Sequence, residues 1–153
     1  MDDLLFREIA NEIKGLNNQA FKLISRGRLT EAEAMCQRGL ETTRNLAYYD
    51  GMATFLFNLA NLEILRDDLL KAMEYGALCG EMHTKSQTDA ADCDALMKDL
   101  AKAAMKKGVE HEKKGDFRAA LEYYYASLPF SEEKYRQAML KEIRLIERLV
   151  NSG

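Results

Sequence analysis

The chain has 153 residues, enough for one ordinary domain, which buries roughly 70% of its unfolded surface. With 47% hydrophobic and 31% charged residues it is neither a disordered chain nor a fibrous one, and a single proline, Pro129, excludes a turn-rich sandwich or barrel. The net charge of −3 divides into −1 for residues 1–50, −5 for 51–100 and +3 for 101–153, which is no nucleic-acid footprint.

Asp2 and Asp3 open the first predicted helix as cap and dipole partners, and Leu5, Ile9, Ile13, Leu16, Ala20 and Leu23 recur at spacings of 3 or 4 along one face. Gly15 sits inside this run, so either one kinked helix or two helices reach Arg26, and Gly27 ends the element as a left-handed cap. Thr30 with Glu33 reads as a capping box for the second helix, whose face is Ala32, Cys36, Gly39, Leu40 and Thr43. The small residues at 32 and 39 predict close helix approach.

Around Tyr48, Asp50 and Gly51 the pattern breaks and restarts. Ala53, Leu56, Leu59, Ala60 and either Leu62 or Glu63 form the next face, and Asp67-Asp68 turns the chain. Leu69, Ala72, Met73, Gly76 and Cys79 carry a helix to about Met82, followed by a polar stretch, 83–88, that is expected to be a loop. A long helix then holds Ala91, Ala95, Leu96, Leu100, Ala103 and Ala104 and runs to Lys114, before a turn at Gly115-Asp116. A short helix with Phe117, Ala120, Leu121, Tyr124 and Leu128 stops at Pro129. Ser131 is expected to cap a final helix with Tyr135, Met139, Ile143, Ile146 and Val150 on its stripe, widened by Leu140, Leu145 and Leu149. Tyr123, Tyr124 and Tyr125 cannot all face inward at 100° per residue; Tyr124 is expected in the core and Tyr123 or Tyr125 at an edge.

Three turns are alike: Gly27-Arg28-Leu29 with Ala32, Asp67-Asp68-Leu69 with Ala72, and Gly115-Asp116-Phe117 with Ala120. The turn residue reverses the chain, the apolar residue plugs the open end of the hairpin, and the alanine lets two helices touch. Nine residues before each turn begins a triplet ending in a small residue: Asn18-Gln19-Ala20, Asn58-Leu59-Ala60 and Lys106-Lys107-Gly108. The pattern resembles the tetratricopeptide repeat over residues 14–130, in its longer-helix variety, although the first-helix aromatic and the closing proline of that family are mostly missing.

The resemblance implies an all-α, right-handed array of about three antiparallel helix hairpins (3–44, 49–83 and 89–129) with a capping helix over 132–150, all in one domain. It further implies a non-catalytic adaptor whose concave groove binds a protein or peptide partner through Asn18, Asn58, Lys102 and Lys106 on one surface. The carboxamides would engage a peptide backbone, and the two lysines an acidic side chain or terminal carboxylate. Asn17 and Phe21 stand where a carboxylate clamp of that family would have Lys and Asn. Alternatives are a homo-oligomeric protein pairing through its terminal helices, as a homodimer for instance, and a helical-bundle ligand sensor or enzyme.

Catalytic motifs are missing: His83 and His111 have no HExxH or Glu-x-x-His context, and no phosphate-cradling or nucleophile-elbow sequence occurs. No cofactor or metal is expected. Cys36, Cys79 and Cys93 lack CxxC spacing and read as reduced thiols, and Cys36 and Cys79 fall on apolar helical faces where burial is expected. With acidic residues after Met1 and no apolar run of about 18 residues, the chain is expected to be cytoplasmic, binding neither membrane nor nucleic acid.

Overall fold

The computed structural model describes residues 3–152, which form seven α-helices, one 3₁₀ turn and no strand. The helices are α1 (Asp3–Ser25), α2 (Leu29–Asn45), α3 (Tyr49–Leu65), α4 (Leu69–Ser86), α5 (Ala91–Lys113), α6 (Phe117–Ser127) and α7 (Glu133–Ser152). None is long and apolar enough to cross a membrane. The chain divides into two compact units at Asp94, inside α5.

Five helix ends close in the same way. A residue one or two positions past the helix takes a left-handed φ: 75° at Gly27, 51° at Ala47, 59° at Asp67, 57° at Gln87 and 79° at Gly115. Its N–H donates three residues back, as from Gly27 to Ile24, and the next N–H donates five residues back, as from Arg28 to Leu23 at 2.9 Å. The pairs Tyr48 to Thr43, Asp68 to Glu63, Thr88 to His83 and Asp116 to His111 repeat that longer bond at 2.8–3.0 Å. This double closure satisfies carbonyls that a helix end would leave orphaned.

Two of these turns fall where the sequence offered neither a glycine nor paired aspartates. The break near Gly51 is a turn at Ala47, and Gly51 is buried inside α3, with the Tyr48 ring lying where its side chain would be. The stretch 83–88 is helical through Ser86, and only Gln87 turns. Other expectations shift as well. Gly15 does not divide α1. Thr30 lies within α2, Arg28 holds the cap position without a side-chain capping bond, and Glu33 pairs with Arg66 at 2.7 Å. Ser131 bonds Ser127 rather than capping α7, and Asp2 lies outside the described residues.

In the first unit α3 is the central element. It packs against α1, α2 and α4 and buries ten residues, among them Phe55, Leu56, Leu59 and Leu62. Its approach to α2 is set by Gly39, where a methyl group would stand 2.1 Å from the Phe55 ring. Glu63 on the same helix is 2% exposed and is matched by Arg66 at 3.1 Å and Lys71 at 3.9 Å. All three cysteines are buried thiols in this unit. Burial, then the charge of Glu33, pushes the Cys36 thiol up to about 12; the neighbouring Cys93 thiol and burial push Cys79 up as well.

In the second unit Ala120, Tyr124, Met139, Ile143 and Ile146 form the core where α6 meets α7. Gly108 lets Tyr124 lie flat on α5, since a methyl there would come within 2.5 Å of the ring. The Tyr124 hydroxyl donates to Glu112 at 2.8 Å, and burial followed by that bond raises its pKa. Tyr125 is exposed and its hydroxyl bonds Glu147, while Tyr123 is half-buried. Tyr135, expected on the α7 stripe, is exposed, as are Leu145 and Leu149.

Ala32, Ala72 and Ala120 have no exposed surface. Ala120→Leu is expected to overpack its contact and lower stability in urea by about 1–3 kcal/mol. Gln87→Gly relieves a left-handed residue with a side chain and is expected to raise it by up to about 1 kcal/mol, net of glycine's added chain entropy.

Candidate functional site

The surface of α1 that meets α3 carries the polar residues of most interest. On α1, Lys14, Asn18 and Phe21 follow one another at helical spacing and are exposed; on α3, Thr54 is exposed and Phe57 and Asn61 are half-buried. A groove of about 350 Å³ lies here, lined by Lys14, Asn17, Asn18, Tyr48, Asp50 and Thr54 among others. Asn18 lines this groove. Asn58 is 6% exposed and lies beneath: its Nδ2 donates to the Asn17 side chain at 3.0 Å and to the Asn17 carbonyl at 3.3 Å. Leu62, one turn on, is wholly buried.

These two bonds fix both amide orientations. A backbone carbonyl only accepts, so the Asn58 atom facing it is the amide nitrogen, and the Asn17 atom sharing that nitrogen is Oδ1. The Asn17 Nδ2 is then aimed elsewhere. It is buried and has no hydrogen-bond partner among the described residues, on a residue only 5% exposed that lines the groove. An unmatched buried N–H is costly, about 1–3 kcal/mol, unless an acceptor from outside the chain supplies the bond.

Asn17 was legible only as a departure from a family pattern. Periodicity could not single it out, because its neighbour Asn18 is the one on the exposed face. The signal available in hindsight is spacing: Asn17 lies one turn from Ile13 and Ala20, both core, so its amide had to be buried.

In the second unit Lys102 and Lys106 are exposed one turn apart on α5, and Lys102 borders a narrow cleft with Lys98, Met105 and Tyr135. His111 stacks on Tyr123 with ring centres 5.4 Å apart and lies 3.4 Å from Asp116. In the first unit His83 is 2.7 Å from the Thr88 hydroxyl and 3.8 Å from Asp50. Among the described residues no three His, Cys, Asp or Glu side chains come together as a metal site.

Asn58→Leu removes the donor that orients Asn17 and leaves two acceptors without it. A loss of about 1–3 kcal/mol is expected in urea denaturation, together with movement of the Asn17 side-chain amide resonances in an NMR spectrum. Unchanged Asn17 resonances would mean that Asn58 does not hold it.

No protein-family model matches the chain, and no curated protein is detectably similar to it in sequence.

Proposed function

We propose that the chain is a non-catalytic peptide-binding module, and that a peptide lies in the groove between α1 and α3. The observation carrying this reading is the Asn17 Nδ2, a buried donor with no acceptor among the described residues. A peptide carbonyl is the complementary group, and the exposed Asn18, Thr54 and Lys14 beside it offer further polar contacts. Phe21 and Leu65, 61% and 59% exposed at the ends of α1 and α3, supply apolar surface for a side chain.

The architecture we assign is a tetratricopeptide-like array of antiparallel hairpins. Its support is the recurrence of left-handed turns at 27, 47, 67 and 87, one every twenty residues, which makes the unit a pair of helices 40 residues long. In the second unit, taken by itself, the exposed Lys102 and Lys106 are assigned to binding an acidic group. Self-association is the second reading. It is favoured by Leu145 and Leu149, exposed beside a cleft of about 500 Å³ on α7, and sedimentation of Leu145→Glu against the parent chain decides it: an unchanged monomer in both excludes it.

To test the first reading, random peptides displayed on phage are panned against the full chain and the enriched ones titrated. Asn17→Leu is expected to weaken them about tenfold, the worth of one well-placed hydrogen bond. Amide shifts should centre on Lys14, Asn17, Asn18 and Thr54. Equal affinity for Asn17→Leu, in a variant whose melting shows it folded, places binding elsewhere and overturns the proposal.

A further inference from the structure

A second concavity of about 450 Å³ lies in the first unit, where the start of α1, the α2–α3 turn and the end of α4 come together. Its walls include Phe6 and Ile9 of α1, Leu46, Tyr48, Tyr49 and Asp50. Phe6 and Tyr48 meet edge to face, with centroids 5.4 Å apart and planes at 79°, so the two rings form a corner. Tyr49 already takes a cation of the chain's own, the Lys85 ammonium 5.4 Å from the ring centre. Asp50 adds a carboxylate that lies 3.8 Å from the His83 ring nitrogen.

The corner is held by the backbone. The left-handed Ala47 sends the chain directly into Tyr48 and Tyr49, and Gly51 leaves the space that the Tyr48 ring fills. Burial, then Asp50, raises the Tyr48 hydroxyl pKa, so the ring remains a neutral phenol at physiological pH.

We infer that this pocket binds an alkylated ammonium group, such as a trimethylammonium headgroup. Three aromatic rings and one carboxylate suit that chemistry. Ring faces attract a cation through their quadrupole, and a quaternary ammonium is bulky and weakly hydrated, so it enters an apolar corner at small desolvation cost. An anion would meet Asp50 and the negative ring faces. A neutral apolar ligand would desolvate Asp50 without compensating its charge. The volume lies at the low end of ligand sites, which suits a headgroup with a short chain rather than a large cofactor. The inference stands apart from the peptide groove, although Tyr48 and Asp50 border both concavities.

The test is an NMR titration of the full chain with choline and with its neutral isostere 3,3-dimethylbutan-1-ol. Choline is expected to shift the Phe6, Tyr48 and Tyr49 ring resonances to saturation, and the isostere to bind at least about tenfold more weakly, since only the charge differs. Phe6→Leu and Asp50→Asn, both at exposed or half-exposed side chains, should each weaken choline roughly three- to tenfold. Asn17→Leu should leave choline binding unchanged, which separates this site from the groove. Titration with N-acetyl-trimethyllysine methylamide distinguishes the source: a tighter fit than choline assigns a modified peptide side chain, a looser one a free small molecule. Equal affinity for choline and its isostere, or no saturation by choline in the millimolar range, overturns the inference.

Discussion

The fold depends on one backbone device, the left-handed residue that lets two consecutive N–H groups reach back into the helix they follow. Without that closure each helix of the first unit would run on or fray, and α3 could not return along both of its neighbours. The device is placed by hydrogen bonds more than by residue type. Glycine supplies it at 27 and 115, while alanine, aspartate and glutamine adopt it at 47, 67 and 87. Three side chains therefore hold a conformation that costs L-residues roughly 1–2 kcal/mol each, and the packing of the helices on either side must offset it.

That packing centres on α3. Its burial against three neighbours explains why it carries many small or apolar residues, and why its two buried polar residues are both matched: Asn58 by Asn17, and Glu63 by Arg66 and Lys71. The two matches differ in consequence. The Glu63 cluster is balanced within the chain, joining α2 to α3 through the bond from Glu33 to Arg66. The asparagine pair is not, because an amide that accepts with its oxygen must still donate with its nitrogen. The same helix thus contains a structural ion pair and supports an unfilled donor at the groove.

Helix existence was legible from periodicity, and the turns at Gly27, Asp67 and Gly115 from residue type, since a glycine or paired aspartates announce a break. The turns at Ala47 and Gln87 were legible only as a break near 48–51 and a polar stretch over 83–88, not as particular residues. Their residues are ordinary helix formers, and the break exists only because Thr43 and His83 carbonyls capture the N–H groups of Tyr48 and Thr88. The twenty-residue rhythm was hidden by those two silent turns, so spacing between alternate turns was all the sequence displayed. The exposure of Asn18 and of the paired lysines was legible because exposed positions on amphipathic helices can be counted off. The burial of Asn58 and the orphaned Asn17 nitrogen depend on two helices meeting at a particular rotation, which no single-helix pattern encodes. The pocket of Phe6, Tyr48 and Tyr49 brings together residues more than forty positions apart, beyond reach of any local spacing rule.

The distribution of cysteines gives the molecule an internal clock. All three thiols are buried in the first unit and none lies in the second. A thiol reagent in solution reaches a buried sulfur only when its surroundings open, so the rate of modification in unperturbed protein counts the opening events of that unit. Slow reaction at every sulfur with one common rate would mean that residues up to Asp94 open as a single cooperative block. Faster reaction at Cys93, nearest the boundary in α5, would mean that the block frays from that helix first. The chain can thus report the local cooperativity of one half of itself with no label added and no residue changed.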